Sequence, residues 1–225
     1  MHPTHDPFTR RAMLRFALAS GALALFAPGA FAEQLEATPR LTEGPFYPYN
    51  KLPLDRDNDL ILVGDSLTPA VGEVTHLGGR LLDNSGSPIK DAVIEIWQCD
   101  AKGVYLAQGD TSRRDRNFQG YGKFTTGSSG EYRFRTIKPV EYSGRPAPHI
   151  HFKISKANRE LITTQCFIAG YPGNARDGIF NDLRDPIERE LVSVDFKPLE
   201  DSKAKELTAT FDIVLGRTPV DRDHH

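Results

Sequence analysis

The sequence predicts an all-β chain: a β-sandwich of two mainly antiparallel sheets, with long loops and at most short helices. Three observations predict it. Short apolar or alternating stretches recur along the chain. Turns rich in Gly and Pro separate them. A single stretch, between Ala175 and Glu190, reads as helical, and Pro186 breaks it.

The first 32 residues read as a twin-arginine export signal rather than as part of the fold. Thr9-Arg10-Arg11-Ala12-Met13-Leu14-Arg15 precedes an apolar stretch from Phe16 to Ala27. That stretch is shorter than the ~20 residues a bilayer requires, which argues against an uncleaved anchor. Ala30-Phe31-Ala32 offers a small-x-small cleavage site, so a mature chain beginning near Glu33 is expected in the periplasm or outside the cell. No later segment is apolar enough for a membrane helix, so no integral membrane segment is expected after signal removal.

Of the 225 residues, 193 remain after the signal, enough for one domain with its own core. Residues 33–59, rich in Pro, Asp and Asn, read as an extended arm, and residues 60–225 as the sandwich. Strands are expected at Val74–Leu82 and Ala92–Gln98. Lys123–Thr126 and Tyr132–Ile137 flank Gly127-Ser128-Ser129-Gly130 and predict a hairpin. His149–Ile154 and Leu161–Ala169 follow. Val192, Val194 and Phe196 alternate, as do Leu207, Ala209, Phe211, Ile213 and Leu215.

A net charge of −2 excludes the basic footprint of a nucleic-acid binder. Arg113-Arg114-Asp115-Arg116 reads as a solvated loop. Cys99 and Cys166 both fall in expected strands. An oxidising compartment permits a disulfide between them, and two small buried apolar side chains is the other reading.

The chemistry concentrates between Tyr142 and Phe152, where a phenol, a guanidinium and two imidazoles occur within ten residues. Strand side chains alternate, so His149 and His151 share a face, opposite Ile150, Phe152 and Ile154. Such a pair suits two neighbouring positions on one metal ion, and also suits two exposed histidines on an edge strand. A zinc site of three histidines has His76 as its sole further candidate in the body of the chain, and no carboxylate partner stands out. Tyr142 precedes His149 across a Gly/Pro loop, and Tyr105 follows a turn at Asp100–Gly103. A phenol titrates near 10, so a phenolate at neutral pH requires a strongly Lewis-acidic ion, and ferric iron fits.

Several segments carry a resemblance to the intradiol ring-cleavage dioxygenases, the β subunits of protocatechuate 3,4-dioxygenases above all. They are Thr42-Glu43-Gly44-Pro45-Phe46-Tyr47-Pro48, Asp57-Asn58-Asp59-Leu60-Ile61, Val93–Gln98 with Gly103-Val104-Tyr105, Asn117–Gly122, Tyr132–Pro139, Leu161–Gln165 and Phe211–Leu215. The resemblance covers nearly all of the mature chain. It implies that Tyr105, Tyr142, His149 and His151 ligate a non-haem Fe(III), with Tyr142 the ligand that departs. It also implies that Arg145 and Gln165 lie by the reacting centre. Two departures stand out: a shorter loop from Tyr142 to His149, and Arg145 four residues before His149 where the family commonly has three. The implied activity uses O2 to cleave a catechol-type ring between its hydroxyl-bearing carbons, yielding a cis,cis-muconate-type diacid. The implied partners are a small aromatic diol and O2, with a homo-oligomer in place of the α and β assembly of protocatechuate enzymes. The arm at Thr42–Pro48 is then the segment expected to reach a neighbour. A non-catalytic periplasmic binding module and a zinc hydrolase are the alternatives.

Overall fold

Val-, Ile- and Phe-rich segments favour extended backbone, and each half-buried strand needs a partner for its apolar face. In a computed structural model of the chain, residues 34–216 are described; the segment expected to be an export signal with its cleavage site, and the C-terminal histidines, lie outside them. Among the described residues, ten strands form two mixed sheets.

In the first sheet β1 (Val74–Asp83) is central. On one side it pairs antiparallel with β4 (Glu131–Ile137). On the other it pairs parallel with β9 (Leu207–Thr210) and then with β10 (Ile213–Leu215). Strand β8 (Lys197–Pro198) extends beyond β9. The second sheet runs β3 (Tyr121–Thr125), β2 (Val93–Trp97), β5 (His149–Lys156), β6 (Arg159–Ile168), β7 (Ser193–Val194). Its pairings are antiparallel except β6 with β7.

The inner faces meet in one apolar core. Leu77, Phe134, Phe211 and Ile213 of the first layer pack with Ile94, Ile96, Ile150, Phe152 and Ile154 of the second. The Phe152 and Phe211 rings lie edge to face at 5.0 Å. A fully buried side chain of this size contributes about 1.5–3 kcal/mol. These residues spend the alternation of β5 on the core, and that turns His149 and His151 to the outer face.

The expected hairpin does not form. The residues of β3 pair with β2, and those of β4 with β1, so the turn at Gly127–Gly130 passes the chain between layers. The Gly130 carbonyl accepts from Leu81 N–H on β1, not from β3. A tight Gly-rich turn serves a hairpin and a corner between sheets equally well, and the sequence does not distinguish them.

The long alternating stretch from Leu207 to Leu215 is likewise two strands. At its centre Phe211 N–H bonds to the Gly78 carbonyl and the Asp212 carboxylate accepts from Arg80 N–H. A Cβ at Gly79 would collide with the Phe211 carbonyl, so the close approach requires glycine. Three pairings are parallel (β1 with β9, β1 with β10, β6 with β7) and the other five antiparallel, as expected of mainly antiparallel sheets. The expected helix resolves into a 3-10 turn at Pro172–Arg176, α1 (Gly178–Asp182) and α2 (Pro186–Leu191), with Pro186 beginning the last. Both cysteines are buried free thiols, and no disulfide joins them.

Candidate metal centre

Strand β5 is interior to its sheet, so its histidines are not edge residues. His149 and His151 are 1% and 2% exposed. Register places Trp97, His151 and Gln165 opposite one another on β2, β5 and β6. The Trp97 indole lies flat on the His151 ring, with centroids 4.8 Å apart and planes 7° apart. The two imidazoles stand nearly perpendicular at 4.8 Å.

Two loops bring the phenols over this face. After β2, the Asp100 carboxylate accepts from Lys102 and Val104 N–H, and Gly103 turns at φ +74. That turn delivers Tyr105, 1% exposed, with its Oη 3.5 Å from His149 Nε2. The second loop is a four-residue turn. Tyr142 and Arg145 exchange backbone hydrogen bonds, and Gly144 takes φ +87, as the third position of a type II turn requires. Tyr142 and Arg145 thereby become a bridged pair despite the short loop. The Tyr142 ring is 5.1 Å from Tyr105 and 5.6 Å from His149.

Burial sets the electrostatics. It pushes Tyr105 well above the usual phenol range, with Cys99 and Tyr142 adding to the effect. Tyr142 is also raised by burial, against the lowering influence of Arg145 and of its hydrogen bond with Tyr105. Burial, helped by Arg145, lowers His149 to about 3, and burial with His149 and Arg145 lowers His151 well below its ordinary value. Both imidazoles are therefore neutral lone-pair donors. The Ala147 carbonyl accepts a hydrogen bond from His149 Nδ1–H at 2.7 Å, which leaves Nε2 with the lone pair facing Tyr105.

Arg145 is held at two points. Its Nε donates to Asp177 Oδ2 at 2.7 Å, and its Nη2 donates to Gln165 Oε1 at 2.9 Å. Gln165 Nε2 donates in turn to the Thr42 carbonyl at 2.9 Å. Asp177 is wholly buried and was not singled out in the sequence. An aspartate directly before Gly178-Ile179-Phe180 is a helix N-cap signal, and that was the available clue. Burial raises its carboxyl, but Arg145 and Phe180 N–H outweigh burial and hold it below the usual carboxylate range.

The arm covers the site of its own chain. Phe46 stacks on Tyr105 at 4.7 Å, and Tyr47 meets Trp97 edge-on at 4.9 Å. Tyr47 and Tyr121 both donate to Glu95, and Lys153 pairs with Glu43 at 2.6 Å. Pro45 follows Gly44, whose φ of +71 turns the backbone over His151. Within one chain, the segment expected to reach a neighbour therefore packs over the site of its own chain.

His76 lies elsewhere, on the first sheet, 2.9 Å from Glu206. Among the described residues no three His, Cys, Asp or Glu side chains converge as a metal site, so a tris-histidine zinc centre is not assembled. The group that does converge is two phenols and two imidazoles.

A family model described as a dioxygenase matches residues 42–217. The protocatechuate 3,4-dioxygenase β chain of Burkholderia cepacia is 34% identical over 184 residues, covering 76% of each chain. The chain belongs to the intradiol ring-cleaving dioxygenase family. It is thus an oxidoreductase rather than a non-catalytic module. Hydroxyquinol 1,2-dioxygenase of Corynebacterium glutamicum is 27% identical over 195 residues, covering 77% of this chain and 62% of that protein. Among solved structures, the dioxygenase domain of a dioxygenase–carbohydrate-binding fusion from Streptomyces sp. SirexAA-E superposes with a TM-score of 0.61 at 28% identity. That match covers 81% of this chain and 100% of the other. The intradiol family's β-sandwich is the architecture described above.

Proposed function

We propose that Tyr105, Tyr142, His149 and His151 hold a non-haem Fe(III) ion, and that the enzyme cleaves a catechol-type diol between its hydroxyl-bearing carbons with O2. The product is a cis,cis-muconate-type diacid. The observation that carries the proposal is the convergence of a buried phenol, Tyr105, and a half-buried one, Tyr142, on two neutral imidazoles, with Tyr105 Oη 3.5 Å from His149 Nε2. The residues fit such an ion. Ligands bonded at about 2.0–2.2 Å in neighbouring positions sit roughly 3–3.5 Å apart. Burial raises both phenols, which resist ionisation unless a cation replaces their protons.

Bound there, ferric iron supplies Lewis acidity and withdraws electron density from a chelated diol. The chain's residues supply the rest. His149 presents its Nε2 lone pair because Ala147 fixes the tautomer. Tyr105, enclosed beneath Phe46, stays in place. Tyr142 is half-buried at the mouth of the site and is the phenol able to turn outward and accept a substrate proton on Oη. Arg145 stabilises negative charge developing on the ring. A single donor of this kind is worth about 3–4 kcal/mol when removed. The arm excludes water from the face beneath it.

From the export signal read in residues 1–32 we infer that the enzyme acts outside the cytoplasm, as a homo-oligomer. Oxygen uptake by the iron-loaded protein with a panel of catechols, with products identified by mass, tests the chemistry. Uptake of one O2 per diol with both atoms retained in a ring-opened diacid is expected. No uptake with any catechol, or cleavage beside rather than between the hydroxyls, would overturn it.

A further inference from the structure

We infer that Asp177 is a positioning residue that acts on the reaction solely by fixing the Arg145 guanidinium. The inference rests on the function proposed above. A guanidinium presents five N–H donors in one rigid plane, so two bonded edges determine where the third points. Asp177 Oδ2 holds Nε at 2.7 Å and Gln165 Oε1 holds Nη2 at 2.9 Å. Three of the five N–H groups remain for other acceptors, and Tyr142, whose phenolate form Arg145 favours, is within their reach.

The loop that bears Arg145 could not fix this plane alone. Ser143 and Gly144 are exposed, and nothing lies within 4 Å of a Cβ placed on Gly144. Asp177, by contrast, is anchored from several directions. Its Oδ1 accepts from Phe180 N–H at 3.0 Å, its own N–H bonds to the Asn174 carbonyl, and its carbonyl accepts from Asn181 Nδ2 at 2.8 Å. The segment is also docked on the loop, because a Cβ on Gly173 would collide with the Pro146 carbonyl. The buried carboxylate pairs with the guanidinium whose charge lowers both imidazoles. Asp177 thus carries the rigidity of α1 into a loop that has little of its own.

The test is a double-mutant cycle on the iron-loaded enzyme with D177N, R145Q and the double variant, read as kcat, KM, iron content and the visible band on anaerobic catechol binding. Asparagine keeps the acceptor for Phe180 N–H and removes the charge. D177N is expected to lower kcat/KM by about 10- to 100-fold, the cost of a misplaced positioning group. Iron content and the resting band should stay unchanged, while the spectral shift on binding catechol weakens. In the R145Q background, D177N should cost nothing further. A loss that adds in full to that of R145Q, or full activity in D177N, overturns the inference. If D177N alone is too unstable to purify, the double variant against R145Q decides: equal activity supports the inference, and lower activity or failure to fold assigns Asp177 to α1 only. A wild-type protein without iron, colour or ring cleavage would instead sink the proposed function, before any variant is compared.

Discussion

At the scale of single residues, His149 shows how burial becomes chemistry. Its imidazole is held neutral down to about pH 3 because burial removes the water its cation would need, and Arg145 opposes the charge further. An unfolded histidine takes up its proton near pH 6.5. The folded state therefore binds fewer protons between those values. Stability is complete above about pH 6.5 and falls as the pH drops towards 3, by at most about 1.4 kcal/mol per pH unit from this residue. Urea unfolding of the metal-free protein at pH 7 and pH 5 should show a lower midpoint at pH 5, and His149→Gln should reduce the difference. An unchanged pH dependence in the variant would contradict it. The candidate site residues were legible in the sequence because period-two alternation puts His149 and His151 on one face, and because flanking motifs resemble a known family. Asp177 was not legible. An N-cap aspartate looks the same whether its second oxygen meets water or a guanidinium 32 positions away.

At the scale of elements, local pattern was readable and pairing was not. Alternation marked nearly every strand, while Pro186, read as a break in one helix, instead begins α2. Which strands pair depends on backbone approach far along the chain. Gly78 and Gly79 split the last alternating stretch by admitting Phe211, and the Gly127–Gly130 turn became a corner because Leu81 takes its carbonyl. The same close-approach logic predicts unequal effects at two loop glycines. Gly173→Ala drives a methyl into the Pro146 carbonyl, on the loop that joins Arg145 to His149. It should cost about 1–3 kcal/mol in thermal unfolding and lower activity as well. Gly144→Ala meets no neighbour and carries only the penalty of its positive φ, about 1 kcal/mol. Equal losses at both sites would show that the Pro146 contact is not limiting.

At the scale of the whole molecule, the sandwich serves one face. Its core consumes the inward side of β5, and the outward side gathers ligand candidates from β5 and from the two loops after β2 and β4. The arm, read from composition as an extended segment, closes over them. Its aromatic contacts were not readable, because a stacked ring and an exposed ring look alike in a Pro-rich stretch. The resulting centre contains four donors from three chain segments and no cluster of carboxylates, and that is why ferric iron rather than zinc is expected in it. The most direct measurement is metal content together with the visible spectrum of the purified protein and of Tyr105→Phe. The account predicts one iron per chain and a phenolate-to-iron band in the wild type, with iron and band both lost or sharply reduced in the variant. A colourless wild-type protein that holds zinc, or a Tyr105→Phe protein with undiminished iron and an unaltered band, would contradict it.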